Sequence, residues 1–348
     1  MTEKESTINK YFWSDFSKIY KKPSLIDDHL IKNSNLIEAT LIKNFTELGL
    51  NQNYSIYANG GFGRKEMFPS SDIDISIIEN KNSTEDKINL EIFITKLWDL
   101  GFQVGHSVRS IADIKKISKN DLKEFTSYLT RRALISTPEI DIKISKTLNG
   151  VWSKKSFFNA KLLEQEERYS SYHSTAFNLE PDLKESPGCM RDFQTSLWIL
   201  QQCFNLNSYT QIKKSKEFSI EIVSAINSYN FIKAMRFASN ILSNNNRLSF
   251  ESQLEISKSA KLNKNTGKES VEKMMKDFYG HASNLSNFNN LVFETFKEKN
   301  SFAIKKRFGD FYLKANKIGI KSSNISENKH LIFGIFIAIG SNKKVNAI

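Results

Sequence analysis

The chain has 348 residues, 39% of them hydrophobic, with 26 Phe and only 5 Pro; this excludes a wholly disordered chain and leaves room for two packed domains. Lys and Arg number 50 against 38 Asp and Glu, a net charge of +12, but the basic residues are scattered, so charge alone builds no nucleic-acid-binding face. Two cysteines, Cys189 and Cys203, exclude a disulfide framework and a cysteine-based zinc site, and point to a reduced, cytoplasmic setting.

The N-terminus lacks the apolar core of a signal peptide. Residues 1–50 carry two helical periodicities: Phe12, Phe16, Ile19 and Tyr20, then Leu36, Ile37, Leu41 and Phe45. The run "YSIYA" at 54–58 predicts a short strand. A glycine stretch and a Pro-Ser-Ser turn separate it from a second strand at 72–78. Residues 85–100 predict an amphipathic helix with Ile88, Ile92, Leu97 and Trp98, ended by Gly101. Residues 102–109, "FQVGHSVR", predict a third strand. Beyond residue 145 the strand signals mostly vanish, and helical periodicities run over 162–172, 220–242 and 271–296. The last apolar run, "LIFGIFIAIG" at 331–340, has about half the length a bilayer requires, so it reads as a buried helix rather than a membrane span. The expected fold class is α+β. N-terminal helices (1–50) pack on a small mixed-sheet domain (51–147), and an all-α domain (148–348) follows.

The chemistry concentrates in "ANGGFGRKEMFPSSDIDISI" at 58–77. In the alternating run Asp72-Ile73-Asp74-Ile75-Ser76-Ile77, residues two apart share a face of the strand. The isoleucines then face the core, and Asp72 and Asp74 point together to the other side. Two carboxylates about 4 Å apart repel by roughly 4 kcal/mol at an effective dielectric of about 20, which calls for a cation between them. Oxygen ligands beside a phosphate substrate suit Mg²⁺. Gly60 and Gly61 follow a strand and precede a helix start, where backbone N–H groups approach a phosphate closely. Arg64 lies one turn further on, within reach of such a phosphate, and Glu66 is expected to cap or to pair with a basic neighbour. The stretch is neither a Walker loop nor a Rossmann fingerprint. Taken singly, each piece also reads as an ordinary turn or a solvated edge strand. His106 and His173 stand alone, and isolated histidines are more often structural than ligating.

Gly60-Gly61 followed by Asp72-x-Asp74 resembles the signature of the DNA polymerase β-like nucleotidyltransferase superfamily. The fuller "GGFGRKEMFPSSDIDI" is similar to the form in bacterial PII uridylyltransferases, the GlnD family. Residues 171–198 resemble the linker segment of that family through Asn178, Leu179, Pro181, Leu183, Lys184, Pro187, Gly188, Arg191, Asp192, Gln194 and Thr195, and "VGHSVRS" at 104–110 also fits. The resemblance implies transfer of UMP from UTP to a tyrosine of a PII signal-transduction protein, with release of pyrophosphate. It implies Mg²⁺ on Asp72 and Asp74 as catalytic ligands, and nucleotide contacts from Gly60, Gly61, Arg64, Lys184 and Arg191. Around Pro187-Gly188, the residue types alone leave open whether Lys184, Arg191 and Asp192 contact nucleotide or brace the fold, with Asp192 capping a helix or pairing with Arg191.

The chain departs from the family in two ways. Full-length relatives continue into an HD phosphohydrolase domain and two ACT domains, whereas this sequence has no His-Asp pair and ends at Ile348. Uridylyl removal and glutamine sensing are therefore not expected of it. Thr130 stands where the family often has an acidic residue; Asp113 and Glu124 are the possible substitutes. The alternative reading is therefore a catalytically impaired module that binds nucleotide or PII.

Overall fold

The structure is a computed structural model that describes residues 3–80, 84–172, 178–262 and 267–300, and the strand backbones at 304–308, 311–314 and 317–320. His173 and the apolar run at 331–340 lie outside the described residues. The chain divides into two compact units, 1–289 and 290–348.

In the first unit, α1 (Glu3–Lys21) and α2 (Ile26–Glu47) fall where the periodicities place them, and Phe12, Phe16, Ile19, Leu41 and Phe45 are buried. Then follow β1 (Tyr54–Ala58), the short helix α3 (Gly60–Gly63), β2 (Ile73–Glu79), α4 (Thr84–Asp99) and β3 (Val104–Arg109). After α5 (Ile111–Asn120) and α6 (Leu122–Leu129) comes a fourth strand, β4 (Arg132–Ile135). The sheet order is β3-β2-β1-β4; β1 is antiparallel to β2 and β4, while β2 runs parallel to β3. The parallel pair needs a crossover, which α4 supplies. The mixed sheet and the helices after it bear out an α+β fold.

Helix α4 is amphipathic as expected, but it turns a different face to the core. Leu97 is buried as expected, but Ile88, Ile92 and Trp98 are exposed, and the helix buries Leu90, Phe93 and Ile94 beside Leu97. These four fall at i, i+3, i+4 and i+7, one face of a helix. Gly101 does close the helix: it is left-handed, with φ +82°, and its N–H donates to the Trp98 carbonyl.

The first unit continues through α7 (Pro138–Leu148), α8 (Lys154–Ser171), α9 (Met190–Phe204), α10 (Tyr209–Lys213), α11 (Glu221–Ser243) and α12 (Phe250–Ser259). A last helix, α13 (Gly267–Asn300), crosses the boundary between the units. Up to Asn289 these helices belong to the same compact unit as the sheet. The second unit contains β5 (Ile304–Phe308), β6 (Phe311–Lys314) and β7 (Lys317–Ile320), an antiparallel sheet in a stretch read from sequence as all-α.

The turn after β1 is packed backbone to backbone. A Cβ on Gly63 would overlap the Thr130 carbonyl and lie 2.9 Å from the Ala58 carbonyl. Arg132 locks the same place, donating to the Phe62 and Gly63 carbonyls (both 3.3 Å) and to Glu38 (2.9 Å). Neither carbonyl is a flexible side-chain end, so Gly63→Ala is expected to cost about 1–3 kcal/mol. Chemical denaturation would show the loss as a lowered midpoint with unchanged slope.

Candidate active site

Strand β2 resolves the alternating run as expected. Ile73, Ile75 and Ile77 are buried, while Asp72, just before the strand, and Asp74 on it are exposed. They open into a cavity of about 750 Å³ whose lining includes all seven residues singled out from sequence: Gly60, Gly61, Arg64, Asp72, Asp74, Lys184 and Arg191.

Asp74 is held between two glycines. A Cβ on Gly60 (φ +52°) would lie 2.9 Å from its Oδ2, and a Cβ on Gly105, its register partner on β3, 2.8 Å from its Oδ1. One structural use of Gly60 is therefore to make room for the carboxylate. The signal for Gly105 is a lone glycine inside a strand, which marks a close approach. The Asp74 pKa is raised, first by loss of hydration and then by the Asp72 charge; Lys184 and Arg64 oppose the rise. Gly105→Ala is expected to displace the carboxylate tip while sparing the backbone. Catalysis at this site should fall by about 10²-fold with little change in thermal midpoint, measured as turnover beside a melting curve.

Arg64 is only partly available. Its Nε donates to Glu66 Oε2 at 2.8 Å, and Glu66 also accepts from Tyr229 OH at 2.8 Å. Glu66 thus pairs with a basic neighbour, as expected, and ties the glycine turn to α11. Burial alone would raise the Glu66 pKa, but Arg64 and Lys233 hold it below the usual range. Lys184 differs: among the described residues its ammonium has no hydrogen bond or ion pair. Burial, then Arg191 and Arg236, lower its pKa. It is a cation in want of an anion.

Arg191 lines the cavity but is engaged by Glu185, through bonds of 3.2 and 2.8 Å, and by Gln194 at 3.1 Å. Asp192 is fully buried and accepts from Arg168, the Tyr169 hydroxyl and the Gly188 N–H, each at 2.6 Å. The bracing role weighed for this motif therefore falls to Asp192, with Arg168 rather than Arg191 as its partner.

Neither substitute for the third carboxylate joins the aspartate pair in a metal-binding group among the described residues, although the Glu124 charge adds to the rise of the Asp74 pKa. Asp113 closes a capping box with Ser110 at the start of α5. Glu124 forms a two-pronged pair with Arg109, at 2.6 and 3.1 Å. Thr130 does line the cavity. Among the described residues no three His, Cys, Asp or Glu side chains gather as a metal-binding group. His106 is exposed and meets the Trp98 ring edge-on.

Sequence reasoning missed Arg236, Lys161 and Arg168, which also line the cavity. Arg236 is 8% exposed and lies 4.0 Å over the Phe68 ring, and burial pushes its pKa down to about 10. Lys161 is 1% exposed, bonded to Glu164 at 2.6 Å and set 4.4 Å over the Trp198 ring. Cations surrounded by apolar helix residues were the available signal, since a buried charge needs a partner.

Two family models match the chain: GlnD PII-uridylyltransferase over residues 156–293 and a nucleotidyltransferase domain over 39–134. Among curated relatives, the bifunctional uridylyltransferase/uridylyl-removing enzyme of Haemophilus influenzae strain PittEE is 37% identical over 279 residues, 77% of this chain and 32% of the relative. That of H. influenzae strain KW20 is 34% identical over 333 residues (91% and 38%), and that of Acinetobacter baylyi 30% over 351 residues (95% and 39%). The chain thus spans about a third to two fifths of the length of these relatives. Among the described residues no helix is long and apolar enough to cross a membrane.

Proposed function

The chain belongs to the GlnD PII-uridylyltransferase family, and from that premise we propose that it transfers UMP from UTP to a tyrosine of a PII signal-transduction protein in the cytoplasm. The observation that carries this reading is the cavity itself. Its lining brings together two exposed carboxylates, an unpaired lysine, Lys184, and the turn of Gly60 and Gly61. A triphosphate answers the cations, and a divalent cation answers the carboxylates.

Asp72 and Asp74 would hold Mg²⁺. The donor set fits, because Mg²⁺ is commonly bound by one or two carboxylates together with substrate phosphates. The ion would supply charge neutralisation on the phosphates. The chain's own residues do the rest. Lys184, with Arg64 beside it, binds the triphosphate, and Gly60 and Gly61 let backbone approach it. The tyrosine oxygen bonds to the α-phosphorus as the bond from that phosphorus to the bridging oxygen breaks. Pyrophosphate leaves with the electron pair, and the phenolic proton passes to cavity water.

The test incubates the chain with UTP, Mg²⁺ and a PII protein and reads the mass of PII by spectrometry. A gain of one uridylyl group is expected. No gain with the wild type, or an equal gain with Asp72 and Asp74 both changed to Asn, would sink the reading. One observation favours a second reading, a nucleotide-binding module without turnover: no third acidic or histidine side chain joins the two aspartates among the described residues. Calorimetric binding of UTP with no mass gain on PII would select it.

A further inference from the structure

A second cavity, of about 310 Å³, opens beside the first, and Arg64, Thr130, Gln194 and Trp198 form a shared wall between them. We propose that this side cavity receives the nucleobase of the nucleotide whose triphosphate occupies the larger one; the inference rests on the uridylyl-transfer reading. The two cavities have opposite chemistry. The larger is lined by ion-pairing groups, whereas Leu197, Leu206 and Ile212 give the smaller an apolar surface. A nucleotide has the same division, with a charged phosphate tail and a flat, poorly hydrated ring.

Two further features fit a base. Tyr209 puts an aromatic residue on the lining, and it is 43% exposed; aromatic rings are the usual platform for a stacked base. Gln201 and Asn207 also line the cavity, and the side-chain amide of neither has a hydrogen bond among the described residues. Gln194 is already committed, to Tyr229 at 3.0 Å and Arg191 at 3.1 Å, so the reading of the base edge falls to Gln201 and Asn207. Each amide carries both donors and an acceptor. A pyrimidine ring presents several edge heteroatoms to such a pair. A tyrosine side chain, the competing occupant, presents one oxygen and would leave amide groups unanswered. These residues are therefore assigned as determinants of base binding, apart from the triphosphate contacts.

The experiment is calorimetric titration of the whole chain, with Mg²⁺ present, using UTP and inorganic tripolyphosphate as separate probes. Wild type is expected to bind UTP at least about tenfold tighter than tripolyphosphate. Leu206→Trp, which fills the cavity from a partly exposed position, should erase that preference and leave tripolyphosphate binding unchanged. The double change Gln201→Ala with Asn207→Ala removes no packed core and should weaken UTP about tenfold, again sparing tripolyphosphate. Variants that bind both probes as wild type does would overturn the assignment, as would equal losses for the two probes. So would unchanged UTP binding with reduced transfer to the acceptor protein, the result expected of an acceptor pocket. Wild type that binds neither probe would overturn the transfer reading itself, and this assignment with it.

Discussion

Asp74→Asn is expected to lower uridylyl transfer by about 10³-fold or more while raising the thermal midpoint of the ligand-free protein at neutral pH. The loss is of the size seen when a fixed charge that stabilises a transition state is removed. The gain follows from the raised pKa of Asp74, which burial and then Asp72 produce. A carboxyl whose pKa is higher in the fold than in the unfolded chain is easier to protonate when folded. Its ionised form therefore costs folding free energy. That cost is absent below the ordinary value of 3.8, grows as pH rises from there to the folded value, and is fully present at neutral pH. Asn is nearly isosteric and carries no charge, so it removes the cost.

Three measurements separate this account from simple damage to the fold. Thermal melts at pH 7 should place the Asn variant above wild type, and the gap should close as pH falls toward 4. Mg²⁺ should raise the midpoint of wild type and leave the variant unmoved, because only a ligand that binds the folded state stabilises it. Transfer assays should show the loss at saturating nucleotide. A variant that melts lower than wild type, or retains activity within tenfold, would contradict the role given to Asp74.

Much of this site was legible because a strand's two-residue period is strict. Once Ile73, Ile75 and Ile77 are assigned to the core, Asp72 and Asp74 have one place to go. Two glycines after a strand likewise announce a close approach. The linker motif identified Lys184 and Arg191 as a pair, and both line the cavity, but only the fold separates their states. Arg191 is satisfied by Glu185, whereas Lys184 has no partner among the described residues. Strand β4 went unread because Arg132–Ile135 is four residues long and follows a helix without a turn signal. Helix α4 offers two apolar stripes, and which one is buried is decided by the sheet beneath it rather than by its own periodicity. Arg236 and Lys161 reach the cavity from α11 and α8, remote in sequence from the aspartates, where local spacing carries no information.

The second large effect is on stability. Asp192→Asn is expected to cost about 3–5 kcal/mol, the range for breaking a buried ion pair by removing one partner. Asp192 is wholly buried, and its two oxygens take three donors from separate places: Arg168 and Tyr169 near the end of α8, and the Gly188 N–H in the turn before α9. Burial by itself would lower the Arg168 pKa, but the Asp192 charge beside it lifts it above the ordinary value, so the guanidinium depends on that carboxylate. Asn keeps the shape, supplies one acceptor oxygen in place of two, and leaves the arginine charge uncompensated. The turn has no slack to adjust, since Gly188 (φ +77°) packs so closely on α13 that a Cβ there would lie 2.5 Å from the Ala282 carbonyl. Differential scanning calorimetry should show a fall of about 10 °C. Adding Arg168→Met to the variant removes the stranded charge and should recover part of the loss. A single variant that melts within about 2 °C of wild type, or a double variant whose losses simply add, would show that the pair does not brace the linker. Arg168 also donates to the carbonyl of Glu185, the residue after Lys184, at 2.6 Å, so the brace also holds the backbone that carries Lys184. The Asn variant should therefore bind UTP more weakly, even at temperatures where it remains folded.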